Sequence, residues 1–399
     1  MTDYKSLNDL VQKPISGGWG DGEGSVNVLR TTNFTNIGEI DFSEVVKRNI
    51  SEKKVTEKKL LKDDIVIEKS GGSPSQPVGR VVFFNQEGEY LCNNFTSILR
   101  PIKTRVFPKY LHYILFCNHK YGVVRKYQNK TTGIINLKLA NYLAETKIPL
   151  PSLAEQQKIA AILDAADSLR QKDQQLVERY STLSQSLFLE MFGDPLSNPK
   201  NWKLSTLSSL VNAVIDCPHT TPRWIESGKV AIRTSNLREG GWIWDDKRYV
   251  SEQEYHERSA RAYVKSGDII LSREGTVGVA AIVSSDMEIC LGQRLVQIQP
   301  NLQLANNHFL LNLILYELAP ERIERVMVGA TSKHLNLKDL RSMKMITPLI
   351  TLQNQFDERI QLIEAQKQQA QASLTKSEAL FNSLLQRAFT GELTAKLVA

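Results

Sequence analysis

Two stretches of this chain, VLRTTNF at Val28–Phe34 and AIRTSNL at Ala231–Leu237, write nearly the same phrase about 200 residues apart. An internal repeat limits the available folds more than any single motif, because each copy must fold as its own unit. The echoes keep their order along the chain. SLNDLV (Ser6–Val11) returns as TLSSLV (Thr206–Val211), and DDIVIEKSG (Asp63–Gly71) as GDIILSREG (Gly267–Gly275). INLK (Ile135–Lys138) returns as LNLK (Leu335–Lys338), and KIPLPSLAEQQ (Lys147–Gln157) as MITPLITLQNQ (Met345–Gln355).

After each proline segment the periodicity changes. Ile159, Ile162, Ala166, Leu169, Asp173, Leu176, Tyr180, Leu183 and Leu187 step by three and four, as do Phe356, Ile360, Ile363, Lys367, Ala370, Leu374, Ser377, Phe381, Leu384 and Ala388. This heptad spacing predicts two long helices, each burying one narrow stripe. A helix of about 35 residues is about 50 Å long at 1.5 Å per residue, and one with so narrow a stripe needs a partner. The expected partner is its own repeat, in an antiparallel coiled coil. Ser152 and Glu155 predict a capping box at the first helix, and Gly193 before Pro195 a stop. The second copy reads Leu352-Gln353-Asn354-Gln355, which weakens its cap. Asp173 and Lys367 interrupt the two seams, either as a register-setting ion pair or as two side chains reaching solvent.

Between the helices lie segments of about 150 residues carrying strand-like runs, such as GRVVFF (Gly79–Phe84) and RLVQIQP (Arg294–Pro300), with short helical stretches such as KYLHYILF (Lys109–Phe116). Each reads as an α+β globule. The order is globule, helix, globule, helix, an α+β chain with a pseudo-twofold internal repeat.

With 399 residues, 41% hydrophobic and 23% charged, the chain has the composition of an ordinary globular protein of more than one domain. No run is apolar enough to cross a membrane and the N-terminus lacks a signal-peptide core, so a cytoplasmic location and no membrane partner are expected. Cys92, Cys117, Cys217 and Cys290 are scattered singly and read as small buried apolar residues. A net charge of +7 favours a polyanionic partner.

Enzyme motifs are missing. GGWGDGEG (Gly17–Gly24) fits neither GxGxxG nor GxxxxGK[ST], and Cys217 and His219 lack a second ligand pair, so no metal site is expected. Glu52-Lys53-Lys54 and Glu57-Lys58-Lys59 resemble half of a metal-dependent nuclease site, but no Pro-Asp precedes them and the second repeat holds no counterpart. A stand-alone metal-dependent nuclease is kept as the alternative, and a non-catalytic DNA-binding scaffold as a third reading.

Double-stranded DNA can be read without such motifs: cations meet phosphates, while Arg suits guanine, Asn adenine, and hydroxyls either. The candidate DNA contacts in the first globule are Trp19, Arg30, Thr31, Asn33, Lys69 and Ser70. In the second they are Arg233, Ser235, Asn236, Arg238, Arg273, Thr276 and Lys333. The competing reading has the Arg-Thr-Ser-Asn phrases bonding local backbone.

The order of globule, PLPSLAEQQKIAAILDAAD, globule and PLITLQNQFDERI, together with GGWGDGEG, VLRTTNF, DCPHTTP, AIRTSN and GDIILSREGTVG, resembles the specificity subunit of Type I restriction-modification enzymes over essentially the whole chain. The resemblance implies two target recognition domains, at residues 1–147 and 196–346, alternating with conserved helical regions at residues 148–195 and 347–399. It implies a non-catalytic subunit in which each domain reads half of a bipartite DNA sequence and the helix pair fixes the spacer. It also implies two docked methyltransferase subunits that flip a target adenine, with restriction subunits added in some complexes. S-adenosylmethionine, ATP and Mg would then sit on those partners, and no cofactor on this chain.

Overall fold

A computed structural model describes residues 3–73, 76–131, 134–319, 322 and 334–393. The chain forms two compact units, Met1–Gln174 with Ala372–Ala399, and Gln175–Gln371.

In the first unit a four-stranded antiparallel sheet runs in the order Ile15–Ser16, Thr96–Leu99, Asp64–Glu68, Val81–Phe84. All of Asp64–Glu68 is buried, which explains why its centre, Ile65-Val66-Ile67, is continuously apolar rather than alternating, while the carboxylates at its two ends pair with Arg100 and Arg80. Ile65 and Ile67 face a core shared with Tyr110, Leu111 and Ile114 of the helix Pro108–Lys120. Val66 faces the other way, toward Val82, Phe84, Ile98 and Leu29. That second side leads to a mixed sheet ordered Val46–Asn49, Asp21–Leu29, Tyr90–Cys92, whose last pair is parallel.

The second unit repeats the plan. Its four-stranded sheet runs Val211–Asp216, Leu295–Pro300, Ile269–Ser272, Ala280–Ile282. Ile269 and Leu271 face the core of the helix Asn307–Glu317, while Ile270 faces Ile232 and Leu291. Lys229–Ile232 and Ile289–Leu291 again pair in parallel. Burying such a β-branched strand on both faces is worth roughly 1.5–3 kcal/mol per side chain.

The long helices are Leu153–Phe192 and Ile350–Phe389, 40 residues each, so about 60 Å at 1.5 Å per residue. Within the first unit, Ile159, Ala160, Leu163 and Ala166 share a core with Phe381, Leu385 and Ala388. Further along, Asp173 accepts the Ser373 hydroxyl at 3.1 Å, so the two segments run antiparallel. Within the second unit Phe188 and Phe192 pack on Phe356 and Phe309, with ring centroids 4.7–6.0 Å apart. Edge-on and stacked pairs of this kind add about 0.5–1.5 kcal/mol each beyond burial.

Along the second helix Phe356, Ile360, Leu374 and Phe381 are buried and Ile363 half-buried. The first helix departs from its expected line. Ile159 is buried and Ile162 half-buried, but Leu169, Leu176 and Leu183 are 46%, 40% and 48% exposed. Ala166 and Asp173 of the expected line are buried, and Leu163, Asp167, Ser184 and Phe188 face inward beside them. Polar residues hold this line because each is satisfied. Arg170 bonds Asp167 at 3.0 Å and lies over the Phe381 ring at 5.5 Å. The Ser184 hydroxyl lies within donating reach of two acceptors, the Tyr180 carbonyl at 3.1 Å and the Glu364 carboxylate at 3.3 Å. Asp173 and Lys367 take separate partners, Ser373 and, at 3.9 Å, Glu364.

Ser152 and Glu155 form the reciprocal capping box. Gly193 stops the first helix at φ 77°, its N–H returning to the Leu189 carbonyl at 2.8 Å. A buried glutamine ties each helix start to its own globule. Gln156 accepts the Phe107 N–H at 2.7 Å and donates to the Pro151 carbonyl at 2.8 Å. Gln353 accepts the Asn306 N–H at 2.9 Å and donates to the Pro348 carbonyl at 2.9 Å. The second copy, with no Ser-Glu cap, keeps this latch.

Candidate nucleic-acid interface

The twin phrases fold into identical clamps. In each, a short 3₁₀ turn (Thr31–Asn33 or Thr234–Asn236) follows the central strand of the small mixed sheet. The Asn33 side-chain oxygen accepts the Arg30 N–H at 2.9 Å, and its amide donates to the Asp41 and Glu44 carbonyls at 3.0 and 3.2 Å. Asn236 does the same, accepting from Arg233 at 2.9 Å and donating to Ile243 and Asp246, both at 3.2 Å. An asparagine amide is suited to this, since it has one acceptor oxygen and two N–H donors. Arg30 reaches the Glu44 carbonyl at 3.3 Å; Arg233 reaches the Asp246 carbonyl at 3.1 Å and its carboxylate at 2.5 Å. That guanidinium holds the Asp246 carboxyl below the usual carboxylate range.

Both asparagines are 3% exposed: beside Arg30 and Arg233, the side chains of Asn33 and Asn236 bond loop backbone and hold the loop in shape. Thr32 and Ser235 are exposed on the turn itself, and Thr31 is half-buried. Arg238 is exposed just beyond it.

The other candidates gather where several turns meet at one edge of each four-stranded sheet. In the first unit these are the turns at Ser16–Gly18, Lys69–Gly71 and Asn94–Phe95. The Lys69 ammonium donates to the Ser16 hydroxyl at 2.5 Å, and Ser70 donates to the Asn136 side chain at 2.5 Å. Lys58 caps the Gly17 carbonyl at 3.1 Å. Burial, with the Lys58 charge nearby, lowers the Lys69 pKa from its ordinary value. Gly17 is needed for close approach, since a Cβ there would lie 2.0 Å from the Asn93 carbonyl oxygen. The glycine phrase is therefore an irregular segment pressed against neighbouring backbone that leads into the strand Asp21–Leu29, and its Trp19 is half-buried under the Arg48 guanidinium, 4.1 Å from the ring.

In the second unit the corresponding turns are Asp216–His219, Arg273–Gly275 and Gly292–Arg294. Arg273 is nearly enclosed, its side chain 11% exposed and 3.4 Å from the Asp216 carboxylate. Thr276 is exposed, while Lys333 lies outside the described residues. Arg294 went unnoticed in the sequence. Its side chain is 62% exposed, 3.4 Å from Glu274, and its backbone sits at φ 65°.

The residues that suggested other chemistries have structural partners or face solvent. The helix Glu52–Lys58 turns Val55 inward and leaves Glu52, Lys53 and Lys54 exposed. The helix has a counterpart, Glu252–Arg258, which carries no acidic-x-Lys pattern; it buries Tyr255 and sends Arg258 to the Thr220 and Leu291 carbonyls at 2.7 and 3.0 Å. Lys58 and Arg258 thus do matching structural work at matching places. Cys217 is buried, and His219 pairs with Asp216 at 3.2 Å. Among the described residues no group of His, Cys, Asp and Glu is arranged to hold a metal ion, and no helix is long and apolar enough to cross a membrane. Burial raises all four thiols, Cys92 and Cys290 to about 11.

Known proteins repeat this architecture. A Methanocaldococcus jannaschii protein named for the MjaX type I restriction enzyme specificity subunit is 25% identical over 364 residues, 87% of this chain and 82% of that protein. The EcoKI specificity subunit of Escherichia coli is 24% identical over 406 residues, 92% of this chain and 82% of that one. The crystal structure of the Type I restriction-modification S subunit from M. genitalium superposes with a TM-score of 0.60 at 15% identity, covering 98% of this chain and 96% of that one, a likeness of fold. Residues 7–179 and 199–372 each match the family model of the Type I restriction modification DNA specificity domain. The chain belongs to that family and carries its domain twice.

Proposed function

We propose that this chain is the non-catalytic DNA-recognition subunit of a Type I restriction-modification system. Each unit reads one half of a bipartite sequence, and the helix pair sets the unread spacer and docks two methyltransferase subunits. Those subunits carry S-adenosylmethionine, and restriction subunits with ATP and Mg join the complex where they are present. The assembly works on chromosomal DNA in the cytoplasm. The observation that carries this reading is the duplicated clamp: two identical frames holding loops whose exposed residues differ. One fold presenting two different faces is what reading two different half-sites requires.

The test is to map methylated adenines in cells expressing the methyltransferase subunit with and without this chain. A bipartite motif should appear only with the chain. Replacing residues 197–345 by the corresponding globule of another specificity subunit should change one half of the motif and keep the other. An unchanged motif after that swap would sink the proposal. The nuclease alternative finds no support, since Lys58 is occupied with the Gly17 carbonyl and Glu52 points to solvent. The purified chain with Mg or Mn is expected to leave DNA intact.

A further inference from the structure

One position at the edge of each four-stranded sheet stands out because its surroundings are duplicated while its chemistry is not. After Tyr90–Cys92 the first unit turns through Asn93-Asn94-Phe95 into the strand Thr96–Leu99; after Ile289–Leu291 the second turns through Gly292-Gln293-Arg294 into Leu295–Pro300. The two turns are held alike. The Asn93 N–H donates to the Leu29 carbonyl at 2.9 Å and the Gly292 N–H to the Ile232 carbonyl at 2.8 Å. The Lys69 N–H donates to the Phe95 carbonyl at 2.8 Å, and the Arg273 N–H to the Arg294 carbonyl at 3.0 Å. Phe95 and Arg294 therefore occupy one structural position, next to the Lys69 and Arg273 turns.

Both side chains are unusual where they stand. Phe95 is a large apolar side chain 44% exposed at a turn tip. Arg294 adopts φ 65°, a left-handed conformation that glycine accepts freely and that costs other residues energy. The Arg273 N–H holds the Arg294 backbone carbonyl, and the Arg294 side chain is 62% exposed with Nε 3.4 Å from the Glu274 carboxylate. Among the described residues the side chain of neither tip is used by the fold: Arg294 adds one long contact to Glu274 at 3.4 Å, and Phe95 belongs to none of the buried clusters.

We propose that this turn position determines specificity in each unit. Arg294 makes a bidentate contact to a guanine edge in one half-site, and Phe95 makes an apolar contact to a thymine methyl group in the other. The inference rests on the DNA-reading role proposed above and adds which residues carry it. The chemistry fits base edges, since a planar guanidinium fork matches the two acceptors of guanine and an aromatic edge the methyl of thymine.

The experiment uses the full chain co-expressed with its methyltransferase subunits in a host free of adenine methylation, reading the motif genome-wide for wild type, R294G, R294K and F95A. R294G relieves the backbone and should melt at or slightly above the wild-type temperature. It should relax one base of one half-site and lower methylation of the original site ~5- to 150-fold, the equivalent of about 1–3 kcal/mol at 1.4 kcal/mol per decade. R294K keeps the charge but loses the fork, so the same base should relax. F95A should relax one base of the opposite half-site only. The inference is overturned if R294G or F95A leaves motif and rate unchanged, if both alter the same half-site, or if methylation falls uniformly with the motif intact. A wild-type complex that methylates no bipartite motif refutes the underlying reading instead. A bipartite wild-type motif left untouched by R294G refutes this inference alone.

Discussion

Replacing Asn236 with alanine separates holding a loop from reading DNA. The side chain is 3% exposed and makes three hydrogen bonds, one from the Arg233 N–H and two to the Ile243 and Asp246 carbonyls. Without it the Asp246 carbonyl keeps Arg233 as a donor at 3.1 Å, so the Arg233 N–H and the Ile243 carbonyl are the groups left unmatched. At about 1–3 kcal/mol for each unmatched buried group, discounted because Ile243 is 37% exposed and water can reach its carbonyl, the loss comes to about 2–3 kcal/mol. In a domain of this size about 2–4 °C accompanies each kcal/mol, so melting should fall by ~5–10 °C. Tryptophan fluorescence reports the transition, because Trp224, Trp242 and Trp244 surround this loop. Asn236→Asp should be at least as damaging, since it keeps the acceptor but aims a carboxylate at two carbonyls. In the methyltransferase complex the methylated sequence should stay the same while its yield drops. An alanine variant that melts like wild type but methylates a different motif would refute the clamp and return Asn236 to the list of readers.

Two further outcomes follow from buried side chains outside the reading edge. Gln353→Ala orphans the Asn306 N–H in a site where the glutamine is fully buried; it should cost about 2–4 kcal/mol by urea unfolding, and Gln156→Ala a similar amount. His112 is enclosed by Phe83, Tyr113 and Phe116 near Lys109, and burial lowers its pKa to about 3 from 6.5. The unfolded chain then binds the extra proton first, so stability is complete above pH 6.5 and falls as the pH drops from 6.5 toward 3. Between pH 7 and pH 5 the loss is about 2 kcal/mol; His112→Phe should remove it, and unfolding curves at both pH values that shift equally in wild type and variant would contradict the assignment.

The repeat and the long helices were legible because a heptad pattern sustained over many turns has few alternative explanations. The inward line of the first helix was not. Leu169, Leu176 and Leu183 draw the eye, yet the buried line passes through Asp167 and Ser184 beside the expected Asp173, their polar groups matched partly within the helix, by Arg170 and the Tyr180 carbonyl, and partly across the pair, by Ser373 and Glu364. The asparagine phrases were legible as a pair but not in role, since one acceptor and two donors suit an adenine edge and a loop backbone equally well. The glutamine latch escaped notice because the interval between copies drifts, from Arg30 and Arg233 to Gln156 and Gln353. The reading edge was least accessible of all: Ser16, Lys69 and Phe95 are distant in sequence and meet only through antiparallel pairing of their strands.

The two copies also show which features the frame requires. Asp64 accepts the Leu61 N–H at 2.8 Å, and Asp268 accepts the Lys265 N–H at 2.8 Å, each buried at the start of its central strand. Their remaining partners differ: Arg100 grips Asp64 through two bonds of 2.8 Å, whereas an amide, Gln297, meets Asp268 at 2.7 Å. Inside the frame, then, residues change while hydrogen-bond valence is kept, because an unmatched buried group costs more than any particular partner gains. At the turn tips no such requirement acts, since water satisfies whatever is exposed there. Phenylalanine can replace arginine at that position without disturbing the strands behind it. Residues exchanged at the tips should therefore change what is read and leave the fold standing, while those exchanged at the clamps should do the reverse.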